Sequence, residues 1–438
     1  MGCDVRRPTF VLTEGLAPST ISSTREIGGS RRFVPSPYSA YPVSALFGRT
    51  VNFFSLHLIE LLALMPLVIW LYLVLARGGF WNLHEDASAA SPLDHSPSVI
   101  AIVPARDEAR TIVQTVASLA NQDYPGEFRI IVVDDHSQDG TAKLALQAAQ
   151  QSEASRQISV HAAADLAEGW TGKLWALNEG VSLAAQTAAD FFWFTDADIV
   201  HAPDTLRRLV ARAEKESLGL ASLMVLLQAK TFPERLLIPP FLYFFLMLYP
   251  PRWTAHPRKR TAGAAGGCVL LRREALETIG GLASIRGEVI DDCALARAVK
   301  SSGRQIWMGL TRSSVSLRSY GSFREIRDMI ARTAFTQLRY STFLLIGTLA
   351  GMFLTYIAPI ALLFSHDPIT RFLGLSTWLL MAISFVPTVR FYKLSPLWAA
   401  LLPLAALFYS CATWLSAARY WLGRGGQWKG RAQAPQKT

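Results

Sequence analysis

The chain has 438 residues, 51% of them hydrophobic and only 17% charged, with a formal net charge of +10. That is more apolar than a soluble domain of this length requires, which argues against a wholly soluble protein. The basic excess sits in no recognisable nucleic-acid module, so no nucleic acid is expected as a partner, and anionic lipid headgroups are the simpler one.

Residues 1–50 are rich in Ser, Arg and Pro and contain no apolar run, which reads as a disordered tail without a signal-peptide core. The apolar stretch 53–76 follows, long enough to cross a bilayer core, and predicts a transmembrane helix over 51–77.

Next comes a strand-length run, 98–103, that passes into Pro104, Ala105, Arg106, Asp107 and Glu108. Ile112, Val116 and Leu119 then repeat at helical spacing, and a second apolar run, 128–133, ends in Asp134 and Asp135. The turn residues Ser137, Asp139 and Gly140 follow, so Asp135 sits at a strand's carboxyl end. Strand, helix, strand predicts a parallel αβ sheet, whose ligands bind outside the carboxyl ends of the strands.

Gly169 and Gly172 flank the approach to Lys173, which opens a helical segment and is suited to placing a cation and backbone N–H groups near phosphate. A third apolar run, 191–194, ends in Asp196 and Asp198. Alternation along an extended chain sends both carboxylates to one side, which suits a divalent cation, Mg or Mn, that also binds a diphosphate. Alone, two acids at a strand end are usually a solvated turn; here the neighbouring motifs decide. His201 is within reach of completing a metal shell, but a surface histidine before Pro203 is the favoured reading.

The segment 232–253 holds an apolar stretch between prolines that is too short to cross a bilayer. It reads as an interfacial helix resting its Phe241, Phe244, Phe245 and Leu248 face among headgroups, with a core helix as the alternative. Gly266 and Gly267 allow close backbone approach to a ligand, and a third acidic pair, Asp291 and Asp292, follows. Cys3, Cys268, Cys293 and Cys411 lack ligand spacing, consistent with a reducing compartment; Cys268 and Cys293 read as small buried hydrophobes.

Three more apolar stretches, 343–364, 372–389 and 396–417, predict a membrane region over 343–418 ahead of a basic tail, 419–438. Arg77, Arg332 and Arg339 beside the spans favour a cytoplasmic 97–330 region. Four full spans would put both termini outside, whereas the basic ends favour the cytoplasm, so one of the last three segments reads as interfacial or re-entrant.

Over roughly residues 99–320 these motifs, in this order, resemble glycosyltransferase family 2, which implies a GT-A (Rossmann-like) domain at 97–330. The resemblance rests on the opening Val103 to Glu108, on Asp134 to Thr141, on Lys173 to Gly180, on Asp196 and Asp198, on Arg272 to Leu276 and on Asp291 to Leu295. It implies that Ala105, Glu108, Asp135, Lys173, Asp196, Gly267 and Asp291 bind substrate, with Glu108 and Asp135 at the nucleotide and Lys173 at its base or phosphates. It gives the metal-diphosphate to Asp196 and Asp198 and the proton-abstracting base to Asp292. Asp291 stands where the family has Glu.

Within the family the chain most resembles the hopene-associated glycosyltransferases, through the runs 170–177, 196–203, 237–239, 247–250 and 290–297. The resulting expectation is an inverting, multi-pass enzyme of a bacterial inner membrane. It would move a sugar from a nucleotide-diphosphate donor to a lipid acceptor, a hopanoid or a related polyprenyl or sphingoid lipid. A processive polysaccharide synthase is the enzymatic alternative. Its Gln- or Arg-x-x-Arg-Trp motif falls here on Thr336 to Tyr340, where the first and last residues differ, which weakens that reading. A non-catalytic lipid-binding scaffold is the other alternative, and the three retained acidic clusters with Lys173 argue against it.

Overall fold

The computed structural model describes residues 43–83, 85, 95–152, 157–185, 187–423, 427–428 and 431–432. The expected tail therefore lies outside the described residues up to 42, and helix α1 already begins within it, running Val43–Ala76. The chain divides into two units, Met1–Ser55 and Leu56–Thr438, and the second holds everything discussed below.

An eight-stranded mixed sheet, in the order β3-β2-β1-β4-β7-β6-β8-β5, forms the centre of that unit. Strand β1 (Val99–Ala105) is buried at all seven positions, the pattern of a strand covered on both faces. Helix α2 (Ile112–Ala120) returns the chain to β2 (Phe128–Asp134), parallel to β1 with Ala105 level with Asp134. Helix α3 (Thr141–Gln151), strand β3 (Gln157–Ala162) and helix α4 (Gly172–Ala184) follow, and β4 (Phe191–Thr195) lies parallel to β1 on its other side. All these strands point their carboxyl ends the same way, so Asp134 and Thr195 finish at one edge of the sheet.

The remaining strands bring their partners to that edge. Strand β5 (Ile199–His201) and helix α5 (Thr205–Lys215) precede β6 (Leu218–Leu226). Helices α6 (Phe232–Leu248) and α7 (Pro251–Ala255) lead to β7 (Cys268–Arg272), which runs antiparallel to β4 with Cys268 opposite Thr195. That register sets Gly266 and Gly267 beside Asp196. Helices α8 (Arg273–Thr278) and α9 (Asp291–Ser301) precede β8 (Gln305–Ser316), whose Ser316 lies opposite Ile199 of β5. Arg318, two residues on, therefore arrives at Asp198.

Apolar clusters fill both faces of the sheet, one around Val103, Ile130 and Trp193 and the other around Ile102, Phe194 and Leu295. A third cluster joins sheet to helices: Met224 and Met308 pack with Leu242, Tyr243 and Leu246 of α6 and with Tyr356, Met381 and Phe385. Those last residues belong to the carboxyl-terminal helical region. Helix α10 (Phe323–Gln337) leads into α11 (Thr342–Met352), a π turn (Phe353–Ile357) and α12 (Ala358–Leu362). Helix α13 (Pro368–Phe391), a 3-10 turn (Pro396–Leu401) and α14 (Leu402–Trp421) complete it.

Thr342–Leu362, Pro368–Phe391 and Pro396–Trp421 are each long and apolar enough to cross a membrane, and they coincide with the three stretches expected from sequence. In the described part of α1, Glu60–Ala76 is a shorter apolar helix. The expected basic tail starts inside α14, where Arg419 pairs with Asp328 of α10 at 2.6 Å; Arg424 and Lys429 lie outside the described residues.

Helix α6 is covered by protein over part of the face expected to meet headgroups, while Leu248 of that face is 45% exposed. Its amino end carries a capping box between Thr231 and Glu234, so the helix starts where sequence rules place it. Its buried side, however, includes Leu236, Leu237, Leu242, Tyr243 and Leu246, and the Tyr243 hydroxyl meets Ser384 Oγ at 2.6 Å. Phe244, expected to rest among headgroups, stacks edge-on against Tyr356 and Tyr409 at 5.6 and 5.0 Å. Protein aromatics cover that ring, because the helices that follow α10 in sequence fold back over α6. Phe244 is thus half-buried among protein aromatics, whereas Phe241 and Phe245 line the cavity described next.

Candidate active site

Two loops at the carboxyl edge clasp each other. The backbone N–H groups of Asp107, Glu108 and Ala109 donate to the side chains of Ser137, Thr141 and Asp139, and Gln138 N–H donates to Asp107 at 2.8 Å. Asp107 and His136 hold positive φ angles of 49° and 56°, a strained backbone that recurs at functional sites. The clasp fixes Glu108 and Asp135. Asp135 is fully buried, beside Arg106 Nη1 and His136 Nδ1, each at 3.3 Å. Ala105 is also fully buried and accepts the Asp135 N–H at 2.8 Å, so it positions that aspartate and is not among the cavity-lining residues. Asp134 keeps one buried carboxylate oxygen without a partner at the same edge.

Lys173, in the first turn of α4, reaches Asp196 at 2.8 Å and Asp291 at 3.4 Å, so two of the three acidic clusters converge on one ammonium. Burial opposes its charge, but Asp196, Asp291 and Asp292 outweigh burial and hold its pKa above the ordinary lysine value. Asp292 accepts the N–H groups of Gly266 and Cys293 at 2.8 and 2.7 Å. A methyl group on Gly266 would stand 3.1 Å from Lys173 Nζ and 3.3 Å from Asp292 Oδ2, so glycine is what lets this backbone approach both. Gly267 lines the cavity and receives the Thr195 hydroxyl on its carbonyl at 3.0 Å.

Burial, then the neighbouring Asp291 charge, pushes the Asp292 carboxyl up to about 6, with Lys173 and the two backbone donors pulling the other way. A carboxylate so placed is a competent base near neutral pH. Burial and Asp196 likewise raise Asp198 to about 6, against the pull of Arg318. The crowding of Asp196 and Asp198 is what a divalent cation would relieve, so the pair fits one. Among the described residues no group of three or more His, Cys, Asp or Glu is arranged for an ion. Such a cation would take its other ligands from a diphosphate and water.

His201 is neither a surface residue nor at the metal pair. It is buried, bonded to Thr195 and Ser314 at 2.8 and 2.9 Å, and burial lowers its pKa to about 3, so it is a neutral structural bridge between β4, β5 and β8. Cys268 and Cys293 are buried, as expected.

Sequence reasoning missed Arg318, Tyr320 and Glu234, and saw in Arg332 only a topology signal. Arg318 spans Glu108 Oε1 at 2.7 Å and Asp198 Oδ2 at 3.1 Å, tying nucleotide and metal candidates together. Its only signal was its place just after a long strand. Arg318, Tyr320 and Arg332, but not Glu234, line one cavity of about 260 Å³ together with Glu108, Lys173, Asp196, Asp198, Asp292, Phe241 and Phe245.

Residues 100–280 match the family model for glycosyl transferase family 2. That stretch, less than half of the chain, is a glycosyltransferase family 2 domain. A mannosyltransferase from Pyrobaculum calidifontis, solved with GDP-Man and Mn2+, shares the GT-A-like fold with a TM-score of 0.52 at 18% identity. That likeness covers 81% of this chain and 99% of that one, so it takes in helices beyond the glycosyltransferase domain. Among curated proteins, an N-acetylglucosaminyltransferase of Rhizobium leguminosarum bv. viciae is 27% identical over 41% of this chain and 40% of its own length. Its counterpart from R. leguminosarum bv. phaseoli is 30% identical over 43% and 41%. The match therefore spans about two fifths of these relatives' length.

Proposed function

We infer that the chain is a membrane-bound inverting glycosyltransferase that moves one sugar from a nucleotide-diphosphate donor to the hydroxyl of a lipid acceptor. The observation that carries this reading is the cavity itself. Its lining joins Asp196, Asp198, Lys173 and Asp292 with Phe241 and Phe245 of α6 and Thr333 of α10. Helices α6 and α10 pack against α14 and its neighbours, the apolar helices long enough to cross a membrane. An apolar chain in those helices' surroundings thus has a protein wall that matches it close to the base.

Asp292 Oδ2 or Oδ1 takes the acceptor hydroxyl's proton as that oxygen attacks C1 of the sugar, and the diphosphate leaves on the opposite side. Lys173 supplies positive charge beside the acids where the diphosphate would sit, and a cation on Asp196 and Asp198 would stabilise the departing charge. The names of the relatives favour an N-acetylglucosamine donor, and the resemblance at 170–177 and 290–297 favours a hopanoid acceptor. The site is expected at the cytoplasmic face of a bacterial inner membrane, where sugar nucleotides are made.

The test is transfer by full-length protein in lipid nanodiscs, offered labelled UDP-N-acetylglucosamine, UDP-glucose and GDP-mannose with bacterial lipid extract and Mn2+. One donor should yield a chloroform-soluble product with a single added sugar and inverted anomeric configuration. A water-soluble polymer would select the synthase alternative, and no consumption of any donor would select the scaffold.

Asp198→Ala should weaken donor binding chiefly when metal is present, because that carboxylate acts through the cation. Titration of nucleoside diphosphate with Mn2+, with Mg2+ and with EDTA checks it. Equal affinity of the unaltered protein in all three conditions would remove the metal from the mechanism.

A further inference from the structure

The cationic groups of the cavity are not equivalent. Lys173 is paired with Asp196 and Asp291, and Arg318 with Glu108 and Asp198. Arg332, from the middle of α10, lines the same cavity, is half-buried, and its guanidinium makes no hydrogen bond or ion pair among the described residues. Its charge reaches the Tyr320 hydroxyl, which borders the cavity too. A guanidinium partly removed from water with no anion beside it is costly, and a planar five-donor fork matches phosphate geometry.

The arginine at the synthase-type motif does not line this cavity. Arg339 is exposed at a positive φ of 52°, and Tyr340 turns away to stack on Tyr420 of α14 at 4.5 Å. Arg332 lies seven residues earlier, two helical turns along α10 on the side that meets the cavity.

We propose that Arg332 is a phosphate-binding residue of this cavity. The phosphate comes either from the donor's diphosphate or from a phosphate carried by the lipid acceptor. In both cases the bound anion would share the cavity with the metal pair and with Phe241 and Phe245. This assignment rests on the transferase reading above.

The experiment uses full-length protein in nanodiscs and the variants Arg332→Met, which keeps the apolar stem, and Arg332→Lys, which keeps the charge. Four probes are titrated in Mn2+: UDP, GDP, undecaprenyl phosphate and undecaprenol. Arg332→Met should lose affinity about tenfold or more for a phosphate probe that the unaltered protein binds, while undecaprenol binding and the thermal midpoint hold, and Arg332→Lys should recover part of the loss. A loss confined to UDP or GDP places the phosphate on the donor; one confined to undecaprenyl phosphate places it on the acceptor. Unchanged affinity of Arg332→Met for every phosphate probe overturns the assignment alone, as does an equal loss on undecaprenol. Unaltered protein that binds none of the phosphate probes overturns the transferase reading with it.

Discussion

Asp292→Asn should lower the rate of transfer by roughly 10²- to 10⁴-fold, the usual worth of a positioned base, while nucleotide affinity changes by no more than a few fold. The amide keeps the shape of the side chain, and its oxygen can still accept one of the N–H groups of Gly266 and Cys293 that hold the carboxylate now. What it loses is the capacity to take a proton. The pH profile supplies the sign. Because the carboxyl is raised to about 6 by burial and by Asp291, it must be ionised to act, so kcat/KM of the unaltered protein should fall as pH drops through about 6. A raised carboxyl also destabilises the fold at pH values above its unfolded pKa, where the folded site is forced to carry charge. Asp292→Asn should therefore melt no lower than the unaltered protein at pH 7. Residual transfer above a tenth of the normal rate would take Asp292 out of the role, and a lowered melting midpoint would mark it as a structural residue.

Phe244→Ser and Phe245→Ser should behave oppositely, although the residues are adjacent. Phe244 packs on Tyr356 and Tyr409, so its loss opens space between α6 and the apolar helices and puts a hydroxyl there, a change of about 2 to 4 kcal/mol. The melting midpoint should drop and donor hydrolysis and transfer should decline together. Phe245 borders the cavity, so its replacement should reduce transfer to a membrane-borne lipid far more than donor hydrolysis, with little change in melting. Thermal melts alongside the two activities decide between them. Identical behaviour of the two variants would mean that Phe245 is core as well and that the apolar wall is not an acceptor surface.

Much of the site was legible because its parts lie where strands end. Asp134, Asp196 and Asp198 each close an apolar run of strand length, and a parallel sheet sends such ends to one edge. The three apolar stretches after residue 342 were legible from length alone. What sequence did not show depends on register and on long-range packing. Arg318 reaches Asp198 because Ser316 pairs with Ile199 across 117 residues, and nothing local to Arg318 encodes that. Helix α6 looks amphipathic in isolation, with aromatics at helical spacing, and periodicity does not distinguish a face covered by lipid from one covered by later helices of the same chain. His201 was misplaced for a related reason: its neighbours Thr195 and Ser314 come from different strands. Ala105 carries the opposite lesson, since a residue within a binding motif serves there through its backbone alone.

The buried Glu234 carboxylate starts α6 by accepting the N–H groups of Lys230 and Thr231, and it also accepts the N–H of Tyr320 and the Ser319 hydroxyl. One side chain thus fastens together the two strands of chain that leave the sheet for the helical region. Leu237 and Tyr243 of α6 are fully buried, under residues from α10, α13 and α14. Cutting the chain before α10 would leave the Glu234 latch in place but strip the cover from α6, leaving a greasy, half-solvated rod attached to the sheet. The helical region is accordingly no detachable anchor, and a truncated, water-soluble version of this protein would lose one wall of its own reaction chamber.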